Sequence, residues 1–581
     1  MNSAKYKDVL YEMREITDLK DMITTSCELF NNKSAFLVKD KPGGKYQPIT
    51  YGQFNMDINS LGTAFINMGL KDKKIAVIGE NSYQWVVTYF ATINGTGVIV
   101  PIDRELKAME IANLLKRADV SAVVFSKKVK KVIYEILADE ELRGNIKYAI
   151  CMNPTEPEEG ILALDDIIEE GKKSLEEGNR EFIDATIDPN VMAALLFTSG
   201  TTGMAKGVML SHKNIASNVY NMSKYVKIMD GGVGLSVLPM HHTYEMTCHV
   251  MTGVYQGITI AICEGLKYIQ KNLSEIPANV MLAVPLIFET MHKKIWKKAA
   301  STGRDKKMRK MAEISKKFKL YNKPKLVKKI FKPIHEATGG GASLFIAGGA
   351  AINPKVIEDY QAMGIPMIQG YGMTENAPII AVNKDCYSKA DSVGLPMPGT
   401  EVKIVDKDEN GIGEIICKGP SVMLGYYKNP EATEEAIRDG WLYTGDYGYM
   451  DDEGFLYVSG RKKSVIVTKN GKNIFPEEIE YVLSGYDYIE EVLVHGVDGM
   501  RNDDVVVKAE IYPNYQLIRE TKGEISQEEL KNLLNKIIEE VNGQMPNYKR
   551  IKRFDIRKTE FEKTTTRKIK RYLASNLNEE K

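Results

Sequence analysis

Between residues 74 and 151, short runs of valine, isoleucine and alanine alternate with stretches whose apolar positions recur at helical spacing. The runs at 75–78, 97–101, 121–125 and 148–151 predict strands, and 83–94 and 108–118 predict helices. Strands that alternate with helices argue for a largely parallel sheet. Ahead of this region, residues 1–60 read as a helical entry followed by a hairpin near 36–51. Behind it, the polar, acidic stretch 155–189 reads as a surface connection carrying one helix. The apolar run 191–197 predicts a buried strand, and Ser211 is placed to cap a helix running to about 225. Further strands are expected at 344–347 and 365–368, with antiparallel alternation at 401–406 and 413–418.

Past Arg461 the texture changes. Strands are expected at 464–468, 491–497 and 505–512. Ser526 and Glu529 form a capping box ahead of a helix with apolar positions Leu530, Leu533, Leu534, Ile537, Ile538 and Val541. The pattern therefore predicts an α/β protein: a large N-terminal domain with mixed and parallel sheets at 1–460, and a small, hinged α+β C-terminal domain at 461–581.

Composition adds few constraints. With 581 residues the chain exceeds one small core, and 43% hydrophobic with 27% charged residues is ordinary for a globular protein. The formal net charge of +1 supplies no global field for a polyanion, and no nucleic-acid partner is expected. Six scattered cysteines with no CxxC read as reduced packing residues. Residues 1–8 are charged and lack an apolar core, so no secretory leader is expected. The uncharged runs 81–102 and 246–263 contain glycine with Asn, Gln or His, and each reads as a helix followed by a strand.

The chemistry concentrates in loops. After the strand at 191–197 come Thr198, Ser199, Gly200, Thr201, Thr202, Gly203 and, three positions on, Lys206. Inward backbone N–H groups, hydroxyls and one mobile ammonium make a cradle for a polyphosphate. It is not a Walker A loop, because Lys206 is followed by Gly207. Gly348, Gly349 and Ala350 end the strand at 344–347, where bare backbone can approach a flat ring. Gln369, Tyr371, Thr374 and Glu375 offer a stacking aromatic, a hydroxyl and a carboxylate within seven positions. Asp446 can accept from a sugar diol and Arg461 can donate to it or to a phosphate. The neighbours His241 and His242 do not suit a shared metal, since no Cys or Asp completes a ligand set.

The pattern T-S-G-T-T-G-x-x-K-G at 198–207, with the later motifs in the same order, resembles the adenylate-forming (AMP-binding) enzymes. Within them it is most similar to acyl-CoA synthetases of the long-chain fatty-acid type. The resemblance implies that the loop 198–203 and Lys206 hold the ATP phosphates. Gly348, Gly349 and Ala350 with Tyr371 would frame the adenine, Gln369 would belong to the same nucleotide site, and Asp446 and Arg461 would bind the ribose. Thr374 and Glu375 would face the reacting phosphate, Glu375 through Mg²⁺. His242 matches a histidine beside the acyl pocket, Lys463 a hinge position and Lys568 the mobile catalytic lysine. Gly471 matches a glycine lining the channel of the CoA pantetheine arm. One departure is Arg567, which stands where the family usually has glycine before the lysine.

The implied activity is an ATP-dependent, AMP-forming ligation of a medium- to long-chain fatty acid to CoA. The same motifs suit an enzyme that loads an acyl group onto an acyl carrier protein. They also suit a catalytically silent adenylate-binding module, although Glu375, Asp446, Arg461 and Lys568 together argue against silence. Residues 293–332 carry seventeen Lys or Arg against Asp305 and Glu313. That excess reads either as a solvated helical face or as a patch for a membrane surface or an acidic partner. The expected location is cytoplasmic, with peripheral contact at the inner membrane surface.

Overall fold

The computed structural model describes residues 7–571, except 155, 157, 199–204, 339, 342, 469–471, 500–504 and 565–568. The chain divides into two units. One comprises residues up to 401 together with 417–442, and the other comprises 402–416 and the chain from 443 onward.

The first unit holds two large sheets, and in both the β-branched runs form the buried middle. The first sheet runs in the order Gly425–Tyr426, Lys206–Ser211, Met192–Thr198, Gly97–Ile102, Lys73–Ile78, Val120–Phe125, Tyr148–Cys151 and Leu162–Ala163. Pairing is parallel from Met192–Thr198 to the Leu162–Ala163 edge. It turns antiparallel at Lys206–Ser211 and Gly425–Tyr426. Ile75, Ala76, Val77 and Ile78 are all fully buried, as expected of a parallel strand covered on both faces.

The second sheet runs Leu395–Pro396, Ile379–Val382, Met367–Gly372, Leu344–Ala347, Val280–Ala283, Val233–Ser236, Thr259–Ile262, Ser34–Lys39 and Tyr46–Thr50. Its middle is parallel and both edges are antiparallel. The expected entry is present: a helix at Leu19–Leu29, then the hairpin of Ser34–Lys39 with Tyr46–Thr50. Phe288, Phe345 and Tyr360 pack as an aromatic cluster over this sheet, with Phe288 and Phe345 centroids 5.1 Å apart. Truncating Phe345 to alanine there would cost about 3–5 kcal/mol.

The stretch 81–102 is a helix, Tyr83–Ala91, a wider turn, Thr92–Thr96, and a strand, Gly97–Ile102. Residues 246–263 likewise resolve into helical turns and the strand Thr259–Ile262. Among the described residues no helix is long and apolar enough to cross a membrane.

The second unit is smaller and richer in strand. Ile489–Asp498 pairs antiparallel with Val505–Pro513, which pairs parallel with Ile551–Ile556. The helices Pro476–Ser484 and Gln527–Gly543 supply Ile479, Leu483, Leu534, Ile537 and Val541 to its core. The Ser526–Glu529 capping box is formed, with Glu529 N donating to Ser526 Oγ at 3.2 Å and Ser526 N to a Glu529 carboxylate oxygen at 2.7 Å. The strand expected at 464–468 is shorter, Ile466–Val467, because a 3₁₀ turn at Lys462–Ser464 takes its first position.

Candidate functional site

In the first unit, Thr198 and Lys206 are partners across the antiparallel pair that starts and ends the polar loop. The Thr198 hydroxyl lies 3.4 Å from the Lys206 carbonyl oxygen. From there a polar chain leads inward. The Lys206 ammonium sits over the Tyr426 ring, 4.7 Å from its centroid. The Tyr426 hydroxyl donates to Glu375 Oε1 at 2.9 Å. Burial first, and then the Glu375 charge, push the Tyr426 phenol far above the usual tyrosine range, so it stays a donor at all physiological pH. A lysine, a phenol and a carboxylate from three separate segments thus meet, a set able to face phosphate oxygens and a divalent cation together.

Glu375 is placed by a short helical turn, Thr374–Asn376, and two asparagines that sequence reasoning missed hold the segments around it. Asn218 Nδ2 donates to the Asn376 and Ile379 carbonyls at 3.2 and 3.0 Å, and its Oδ1 accepts from Ile379 N at 3.3 Å. Asn214, one turn earlier on the helix His212–Ser223, donates to the Pro420 and Val422 carbonyls, both at 2.8 Å. The next residue, Met423, donates its N–H to the Glu375 carbonyl at 2.9 Å. Nothing local in the sequence marks the contacts of either asparagine, because the carbonyls they hold lie more than 150 positions further along the chain.

Gly348 is buried at the end of Leu344–Ala347, against Tyr244. A Cβ there would lie 2.8 Å from the Tyr244 ring, whose hydroxyl donates to the Ile346 carbonyl at 2.9 Å. Gly349 and Ala350 follow, both exposed, with Gly349 at φ +82°. This bare, open backbone fits the approach of a flat ring. Tyr371 and Thr374 are half-buried near the end of the strand Met367–Gly372. Gln369 is buried, and its amide nitrogen donates to the Ala390 carbonyl at 2.6 Å, where it fastens the 383–392 loop.

His242 sits at the start of a helical turn, its ring centroid 4.1 Å from that of His241. Burial draws the His241 pKa down to about 4, so that ring is neutral at pH 7. Asn81 fixes the loop that carries both, donating to the Leu238 carbonyl at 2.6 Å and accepting from Met240 N at 3.0 Å. Behind them lies a fully buried pair, His249 Nδ1 and Glu245 Oε1, at 2.8 Å.

In the second unit, Asp446 and Arg461 are partners on the antiparallel strands Trp441–Met450 and Leu456–Arg461. Arg461 Nε lies 3.0 Å from Asp446 Oδ1, with the aspartate buried and the guanidinium half-exposed. Thr444 braces the strand: its hydroxyl donates to the Ile415 carbonyl at 2.7 Å and accepts from Asp446 N at 3.1 Å. Ser199, Gly200, Thr201, Thr202, Gly203, Gly471 and Lys568 lie outside the described residues.

No group of three or more His, Cys, Asp or Glu that could hold a metal ion occurs among the described residues. The Glu375 carboxylate, bonded to the Tyr426 hydroxyl, is of the kind that Mg²⁺ takes together with substrate phosphates and several waters. Glu375 is the carboxylate that would hold it.

The sequence matches a family model described as AMP-binding enzyme over residues 23–427. A second model, AMP-binding enzyme C-terminal domain, matches 463–580. A chloroplastic long-chain-fatty-acid–[acyl-carrier-protein] ligase of Arabidopsis thaliana is 28% identical, covering 84% of this chain and 75% of that protein. Long-chain-fatty-acid–CoA ligase 1 of Cavia porcellus is also 28% identical, over 84% of this chain and 73% of its own length. Among solved structures, an anthranilate CoA ligase in complex with anthranoyl-AMP is similar at a TM-score of 0.77 and 19% identity, covering 98% of both chains. A Mycobacterium tuberculosis fatty acyl CoA synthetase is similar at a TM-score of 0.63 and 22% identity, over 97% of this chain and 98% of that one.

Proposed function

Because the chain belongs to the AMP-binding enzyme family, we propose that it joins a medium- to long-chain fatty acid to CoA in two steps at the expense of ATP. A carboxylate carbon has no usable leaving group, so it must first be activated. One carboxylate oxygen attacks the α-phosphorus of ATP, the bond to pyrophosphate breaks, and an acyl-adenylate forms. The CoA sulfur then attacks the acyl carbon, and AMP departs with the electrons of the mixed anhydride.

The observation that carries this reading is the chain Lys206–Tyr426–Glu375, three polar groups brought together beside Thr198. We assign the ATP phosphates to Thr198, the loop 199–203 and Lys206, and the adenine to Gly348, Gly349, Ala350 and Tyr371, with Gln369 in the same nucleotide site. The ribose goes to Asp446 and Arg461. Bound Mg²⁺ would neutralise phosphate charge. Thr374 and Glu375 orient the reacting phosphate, His242 borders the acid, Lys568 serves adenylation, and Gly471 serves the thiol step. Functionally we divide the chain at 460/461, with 461–581 as the mobile part. The names of the plant and guinea-pig relatives support a fatty acid as substrate.

The plant relative's name also favours a second reading, in which the acceptor is an acyl carrier protein. One assay separates them: pyrophosphate release across straight-chain acids from acetate to oleate, then thioester formation with CoA or carrier protein. Release that peaks at medium to long chains, with acyl-CoA as product, is expected. Thioester on the carrier alone would favour the second reading. No acid-dependent release at any chain length would overturn both.

A further inference from the structure

We infer that the outer face of the helices between residues 293 and 332 docks reversibly on an anionic lipid surface. This stands independently of the substrate proposed above.

The segment folds as the end of Pro285–Ser301, then Asp305–Lys317, a 3₁₀ turn at Leu320–Asn322, and Pro324–Ile330. One face is anchored. Trp296, Ala299, Ala312, Val327 and Phe331 are buried, the last three within the core cluster that includes Phe345 and Tyr360. Lys316 reaches inward to Asp359 at 3.0 Å and Glu358 at 3.2 Å. Every other Lys or Arg of the segment is exposed. The helices therefore present a fixed field of positive charge with two acidic interruptions, Asp305 and Glu313.

Two further features select lipid over protein. Fifteen of the seventeen basic residues are lysines, and one of the two arginines, Arg309, is stacked 4.4 Å over Trp296. Protein interfaces favour arginine and deplete lysine, whereas an anionic lipid surface attracts either cation. Apolar side chains also stand out among the lysines. Phe318 is 65% exposed, and Ile314, one turn before it, and Leu326 are exposed as well. Side chains of that kind enter the boundary between headgroups and acyl chains.

Each basic residue at such a surface multiplies affinity about fivefold, so a handful gives salt-sensitive, reversible binding. The test is co-sedimentation of the full chain with phosphatidylcholine vesicles containing roughly one-third phosphatidylserine, against pure phosphatidylcholine, at low and high salt. Binding to the anionic vesicles alone, lost at high salt, is expected. Lys306→Glu, Lys307→Glu and Lys310→Glu combined should lower affinity at least about a hundredfold, and Phe318→Ser several-fold. Circular dichroism and thermal melting check that both variants fold, and all four positions are exposed. Equal binding to neutral vesicles, no binding, or unchanged binding by the folded triple variant would overturn the inference. So would salt-sensitive binding of an acidic acyl carrier protein, abolished by the triple variant, in a chain that ignores vesicles.

Discussion

The Tyr426 hydroxyl donates to Glu375 Oε1 at 2.9 Å, and so ties the strand Gly425–Tyr426 to the turn that carries the carboxylate. Tyr426→Phe removes this donor while keeping the ring under Lys206. A hydrogen bond to a charged group contributes about 1.5–3 kcal/mol. The variant should fold normally, need more Mg²⁺ for half-maximal rate, and lose roughly tenfold or more in kcat/KM for ATP. Magnesium titrations of pyrophosphate release check this, and an unchanged Mg²⁺ requirement would detach Tyr426 from the site.

Asn218→Ala tests the clamp behind Glu375. It strands the Asn376 carbonyl and the Ile379 N–H in a buried setting. Leaving two buried groups unsatisfied should lower unfolding free energy by about 2–4 kcal/mol. Activity should fall along with it, because the turn loses its register. Urea unfolding followed by fluorescence measures the first effect. A stability within about 0.5 kcal/mol of the parent would show that water or a neighbour replaces the amide.

How legible this was differs between parts of the molecule. The strand leading into Thr198, the N-cap at Ser211 and the capping box at Ser526 could be read because their causes are local: an apolar run, a hydroxyl ahead of a helical pattern, or two side chains three positions apart. The partners of Asn214 and Asn218 are backbone carbonyls more than 150 positions away, and no spacing rule reaches them. Tyr426 was likewise invisible, because its partners Lys206 and Glu375 come from segments that meet only after both sheets form. Gln369 shows the converse: the residue was picked out, and the contact of its amide with Ala390 emerged only from tertiary structure.

His212 should make stability depend on pH. It is almost fully buried, its Nδ1 has no hydrogen-bond partner among the described residues, and burial draws its pKa to about 4 despite Asp18 and Asp188, which pull the other way. The unfolded chain takes up a proton that the folded chain refuses. The contribution is therefore intact above about pH 6.5 and is lost as pH falls toward 4. Between pH 7 and 5 this one group should remove about 2 kcal/mol. His212→Gln should flatten that slope in urea unfolding at the two pH values. Parallel losses in parent and variant would assign the slope elsewhere.

Lys568→Ala should reduce adenylation by roughly 10²–10³, the usual effect of losing one donor at developing charge. Thioester formation from supplied acyl-adenylate should be much less affected. Lys563 is a poor substitute, because its ammonium is already held by Glu491 and, at 3.0 Å, by Glu560. Lys563→Ala should therefore spare adenylation. Equal loss in both half-reactions of the Lys568 variant would make that lysine structural.

The central claim is that a carboxylate attacks the α-phosphorus of ATP in this protein. Exchange of labelled pyrophosphate into ATP, with no thiol present, reads that step alone. Exchange is expected to depend on a fatty acid and on Mg²⁺, with AMP as the nucleotide released when a thiol is added. Fatty-acid-independent exchange, or release of ADP and inorganic phosphate in place of AMP and pyrophosphate, would contradict it.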